Sequence, residues 1–199
     1  MNIIARYRLT GFVLLACGSL ALSTRAQTPV LLWVDVSSPS SVKFTSSTAN
    51  ADTNASSTTE EGVNLEYFFT VNVPTGSSLD QNLTGDLSPS GTTENYNKTY
   101  AYEGNRYCQI VENVGNVPQS FTTSTRAFTG EGTADLSSLS AYLPASGSGP
   151  ITVYDTVSGD RVTIGYWQVV PEPSAWAGVM LAATGLGGIL LRRRARPRE

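Results

Sequence analysis

The chain predicts an all-β body, an antiparallel β-sandwich or jelly-roll-like domain, with an N-terminal signal helix and a C-terminal transmembrane helix. Three observations predict it. Short apolar or alternating runs recur through residues 27–170, separated by Gly, Ser, Asn and Pro. Charged residues make up 15% of the 199 residues, against roughly 25% in ordinary globular chains, and hydroxyl and amide side chains fill the gap. Two uncharged, mainly apolar runs lie outside that body, at residues 9–22 and 174–191.

The first of these has the anatomy of a secretory signal peptide. Arg6 and Arg8 give the positive start, Leu9 to Leu22 the apolar run, and Ser23, Thr24 and Ala26 the small residues of a cleavage site. Cleavage after Ala26 makes residues 1–26 the signal and the Sec export machinery a partner. Leu14-Leu15-Ala16-Cys17 also resembles a lipobox. A cut there falls halfway along the apolar run, which disfavours that reading.

Within residues 27–170, the predicted strands are Leu31–Val36, Leu65–Val73, Tyr96–Tyr102, Tyr107–Val114, Gln119–Phe128, Ile151–Val157 and Arg161–Val170. Ser158-Gly159-Asp160 is a hairpin loop between the last two. Leu136, Leu139 and Leu143 predict a helical turn starting near Asp135. The Ser/Thr-rich stretch 37–62 holds little to bury beyond Val42 and Phe44, so it predicts an exposed loop, at most around one short edge strand.

Charge is unevenly placed. The net charge is −3, yet five bases face fourteen acids between residues 27 and 170, a formal −9 for the body. Such a body repels phosphate backbones, so no nucleic-acid partner is expected. With no histidine, Ser-His-Asp and Cys-His catalysis and His-based zinc sites are excluded. Neither a Walker loop nor a dinucleotide fingerprint is present, and no cofactor is expected. Glu66, Glu103 and Glu112 are candidates for paired-carboxylate glycoside hydrolysis, but nothing in the spacing brings two of them together. The expectation is a protein that is not an enzyme. If Cys17 leaves with the signal, Cys108 remains without an internal partner, as a buried small hydrophobe or a bridge between chains.

Two weaker ligand signals stand in the body. Asp80, Asn82 and Asp86 offer oxygen ligands for calcium if they share one loop. Tyr96, Tyr100 and Tyr102 share one face of a strand by period two, where exposed rings can stack on sugars and core rings cannot.

The second apolar run is the more informative. A helix over 174–191 rises about 27 Å at about 1.5 Å per residue, close to the ~30 Å hydrocarbon core of a bilayer. Arg192, Arg193, Arg194, Arg196 and Arg198 follow, and by the positive-inside rule they stay in the cytoplasm. Just before the run stand Pro171, Glu172 and Pro173, whose two prolines hold an extended peptide that neither helix nor central strand can absorb. An accessible extended peptide at the membrane face suits a membrane-embedded protease or transpeptidase.

This order of Pro-Glu-Pro, apolar helix and arginine cluster in residues 171–199 resembles the PEP-CTERM sorting signal. The resemblance implies recognition by an exosortase, an integral-membrane enzyme resembling cysteine transpeptidases. It further implies an inner-membrane intermediate, cleavage near the motif, and delivery to the cell surface or extracellular matrix of a Gram-negative-type bacterium. The function expected is a structural surface or matrix component, associated with biofilm or exopolysaccharide. The alternatives are a carbohydrate-binding or adhesion module on the same route, and an ordinary single-pass membrane-anchored surface protein.

Overall fold

The structure is a computed structural model that describes residues 28–113 and 116–170. The predicted signal 1–26 and the sorting tail 171–199 lie outside the described residues. Among the described residues, no helix is long and apolar enough to cross a membrane.

Thirteen strands form among the described residues: β1 (Val30–Asp35), β2 (Val42–Ser46), β3 (Ala55–Thr58), β4 (Val63–Leu65), β5 (Leu79–Gly85), β6 (Ser88–Pro89), β7 (Lys98–Ala101), β8 (Cys108–Val111), β9 (Pro118–Phe121), β10 (Phe128–Thr129), β11 (Glu131–Ala134), β12 (Ser148–Tyr154) and β13 (Arg161–Val169). Nine close into a barrel in the order β1-β13-β12-β4-β8-β7-β5-β11-β2, and β2 returns to β1. The all-β expectation is met. The sheet closes on itself into a barrel where an antiparallel sandwich or jelly roll was expected, and β1 runs parallel to β13 in an otherwise antiparallel barrel. Closure leaves no exposed barrel edge, the usual site of unwanted strand pairing.

The seam at β1, β12 and β13 explains how the barrel bends shut. Ile151 pairs with Gly165 and Thr152 with Thr163, so Ile164 is an extra residue on β13. Opposite, Val30 pairs with Tyr166 and Leu32 with Trp167, so Leu31 is extra on β1. Such bulges bend a strand and sharpen its twist. A Cβ on Gly165 would lie 2.5 Å from Leu31 Cγ, so glycine there lets buried Leu31 occupy that space.

Side chains fill the interior, as a barrel of this strand number requires. Val34, Phe44, Val63, Leu65, Ile110, Val153 and Trp167 are buried. Phe68 lies 5.4 Å from Trp167, 6.1 Å from Phe44 and 5.1 Å, edge-on, from Phe69. Predicted strand Leu65–Val73 therefore stops at Leu65. Its remaining aromatics serve the core from a loop, and Tyr67 turns the chain with φ of 56°.

The stretch 37–62 also departs from expectation. It contributes β2 to the barrel wall and β3 to a ribbon with β9, and it is not one exposed loop. Val42 and Phe44 point inward at period two, while Lys43 and Thr45 alternate outward. Small buried residues, Ala51, Ala55, Ser57 and Thr59, supply the rest of its packing. The predicted turn near Asp135 is a 3-10 turn, Ser137–Tyr142, with Leu136 and Leu139 buried. Asp135 accepts the Ser137 N–H at 2.9 Å before it.

Asp155 ties the β3–β9 ribbon to the β12–β13 hairpin. It accepts the Ser56 N–H at 2.8 Å and the Ser158 N–H at 2.8 Å. The bond from Ser56, then those from Ser158 and Val157, lower its pKa from 3.8 to about 2. A depressed carboxylate pKa stabilises the fold above its unfolded value, and that contribution is lost as pH falls through the folded one. Between pH 3.8 and about 2, wild-type stability is expected to decline more steeply than that of Asp155→Asn. Urea denaturation at stepped pH measures the difference.

Candidate functional site

The β7–β8 hairpin carries a surface group of tyrosines. Tyr100 stands on the outward face of β7, opposite Asp80 of β5 and Gln109 of β8. Tyr102 follows the strand, 42% exposed. Its ring stacks on Tyr100 at 5.9 Å with 21° between planes, and Tyr107 lies 6.2 Å from it on the returning limb. The Tyr100 O–H donates to Asn113 Oδ1 at 3.2 Å. The three rings thus form one stacked and tilted surface, a favourable arrangement for aromatic quadrupoles. Burial, then the neighbouring Tyr107 and Tyr100 and the Asp80 carboxylate, raise the Tyr102 pKa, so the ring stays neutral in ordinary buffers.

Beside the hairpin stands a second exposed ring. Tyr67 is 61% exposed, and the Arg106 guanidinium sits 5.5 Å above it. Arg106 Nε donates to the Phe69 carbonyl at 2.9 Å, which fixes the guanidinium over the ring. Arg161 lies 5.3 Å over Tyr107, with Nη1 3.1 Å from the Glu66 carboxylate. Lys98 pairs with Asp80 at 2.8 Å on the other flank.

The sequence placed Tyr96, Tyr100 and Tyr102 on one face. The structure separates them. Tyr96 precedes β7, is 1% exposed, and donates its O–H to buried Gln119 Oε1 at 2.7 Å. It packs with Phe128, which also meets Phe121, within the hydrophobic core. Tyr67 and Tyr107 were not singled out. Tyr107 was legible, since it shares the outward period of Gln109 on β8.

Asp80 and Asn82 do not share a loop with Asp86. They lie on β5 itself, and at about 3.3 Å per residue the strand carries Asp80 roughly 20 Å from Asp86. Asp80 is engaged by Lys98, and Asp86 accepts the Glu131 N–H at 2.9 Å. Among the described residues, no three His, Cys, Asp or Glu side chains group as a metal site.

The carboxylates Glu66, Glu103 and Glu112 do not form one group of three. Glu66 accepts from Thr152 Oγ1 at 2.9 Å and from Arg161, while Glu103 accepts the Gly76 N–H at 2.8 Å. Glu112 is buried beyond the far end of β8. Cys108 is free and fully buried, and burial pushes its thiol from 9.0 to about 12. An interchain bridge through it is incompatible with the folded barrel.

Where the chain leaves the barrel, an open cleft of about 460 Å³ is lined by Asp35, Ser37, Ser140, Leu143 and Val170 among others. The Val170 N–H donates to the Val34 carbonyl at 2.8 Å, and Val169 N–H to Gly147 at 2.9 Å. The barrel's hydrogen bonding therefore persists to the residue before Pro171. No protein-family model, curated protein or solved structure matches this chain.

Proposed function

We propose that this protein is an exported structural component of the cell surface or extracellular matrix, sorted by an exosortase acting on residues 171–199. The order Pro171-Glu172-Pro173, uncharged apolar segment and Arg192, Arg193, Arg194, Arg196, Arg198 carries the reading. The fold supports it through position: the barrel is hydrogen-bonded up to Val170, and the next residue is the first proline of the motif. Neither proline has an N–H with which to continue a strand ladder. A stable body thus adjoins a segment unsuited to regular structure, which is what a membrane enzyme needs in order to cut beside a folded domain. A closed, charge-poor barrel with hydroxyl-rich strands suits a structural role outside the cell.

Expression of the full chain with and without an exosortase, followed by cell fractionation, tests this. With the enzyme, the protein is expected at the surface or in the medium. Without it, the chain is expected to stay in the inner membrane. An identical distribution in both hosts supports an ordinary membrane anchor and contradicts the proposal, as does recovery from the cytosol.

A further inference from the structure

We propose that the tyrosine surface of the β7–β8 hairpin, extended by Tyr67, binds an uncharged pyranose polymer. The inference does not depend on how residues 171–199 are processed.

Two observations carry it. The first is the form of the surface. Tyr100, Tyr102 and Tyr107 present contiguous rings, and Tyr102 remains 42% exposed despite two aromatic neighbours. Tyr67 is linked to them through two arginines: Arg106 covers its ring, and Arg161, paired with the adjacent Glu66, covers that of Tyr107. The axial C–H groups of a pyranose form an apolar face that packs on such rings, and its equatorial hydroxyls need donors at the rim. Asn113 stands there and uses its carbonyl for Tyr100, leaving its amide N–H groups for a sugar oxygen, while Gln109 Nε2 donates to the Glu61 carbonyl at 2.9 Å.

The second observation is the conformation of Tyr67. It is the sole non-glycine residue with positive φ among the described residues, at 56°. A bulky residue there is strained, and glycine would fit at lower cost. Its ring is 61% exposed, so core packing does not account for tyrosine at that position. Strain retained at an exposed aromatic points to a role in contact with a ligand.

Charge selects the class of polymer. Arg161 is compensated by Glu66 and Lys98 by Asp80, and the hairpin turn adds one acid, Glu103, and one base, Arg106, with no formal net charge. The surface is locally neutral on a body of formal charge −9, which opposes a polyanion. Stacking and hydrogen bonding to an uncharged chain remain, and such binding depends little on salt.

Full-length protein in detergent, titrated with soluble neutral glucans, mannans and galactans and with the uronate polymer alginate, tests the proposal. At least one neutral polymer is expected to bind, with little change on raising salt. Tyr102→Ala and Tyr67→Gly are each expected to weaken binding about tenfold, the scale of one aromatic stacking contact. Tyr102→Phe retains the ring and most of the binding. Tyr67→Gly relieves the backbone, so its thermal stability is expected to equal or exceed wild type, which separates lost contact from misfolding. Trp33→Ala, removing a 36%-exposed ring on β1, serves as the control and leaves affinity unchanged. Absence of binding to every neutral polymer overturns the proposal. So does unchanged affinity in both tyrosine variants, or salt-sensitive binding to alginate alone.

Discussion

Replacing Trp167 by alanine is expected to destabilise the barrel by about 4 kcal/mol. The indole is 1% exposed and meets Phe68 at 5.4 Å, where it fills the space between β13 and the loop after β4. Its Nε1–H donates to the Glu66 carbonyl at 2.9 Å, so truncation leaves a cavity and removes the donor from a half-buried acceptor. A Cβ on neighbouring Gly149 would meet Glu66 O at 2.2 Å and Trp167 Nε1 at 2.7 Å, so the backbones approach closely around the indole. Against a typical total of about 5–15 kcal/mol, this loss removes a large share of the folding free energy. Thermal denaturation is expected to shift down by roughly 12 °C for a body of this size. A shift of a degree or two would mean that the barrel end is not packed as described.

Gly62→Ala is expected to cost about 3 kcal/mol or more. Gly62 turns the chain between β3 and β4 with φ of 58°, and its N–H bonds the Thr58 carbonyl at 3.0 Å. A Cβ there would lie 2.0 Å from the Ile110 carbonyl oxygen and 2.7 Å from Val111 Cγ1. The obstacle is the backbone of β8, which cannot rotate aside. Gly104 provides the comparison. It also has positive φ, 75°, but open space surrounds its missing side chain. Gly104→Ala is therefore expected to cost only the conformational strain, about 1 kcal/mol. Equal denaturation midpoints for the two variants would contradict the close approach of β4 to β8.

The elements legible in the sequence are those whose burial follows from their own side chains. Arg161–Val169 and Ser148–Tyr154 alternate or run apolar around a Gly-containing loop and form the predicted hairpin; β13 has nearly its predicted bounds, while β12 lies three residues earlier than expected. Glu66 to Val73 is as aromatic as any strand, but Phe68 and Phe69 are buried by the barrel end, a long-range surface that local pattern does not register. Residues 37–62 misled in the opposite sense. Two inward residues on β2 and a row of small buried ones suffice when β11, from a distant part of the chain, pairs with β2 on the side away from β1. Barrel closure was not legible for the same reason, since it rests on β1 meeting β13 in parallel.

The tyrosine surface was half legible. Period two correctly paired Tyr100 with Tyr102, but the strand begins at Lys98, and its alternation does not extend back to Tyr96. Tyr67 is marked by its backbone angle and exposure, neither of which composition reveals.

The most direct test of the central proposal is the intact mass of the mature protein recovered from the surface of cells that hold an exosortase. The expected species begins at Gln27 and ends close to Pro171-Glu172-Pro173, having lost Arg192 to Arg198. A surface species that keeps the arginine cluster would contradict processing of the tail.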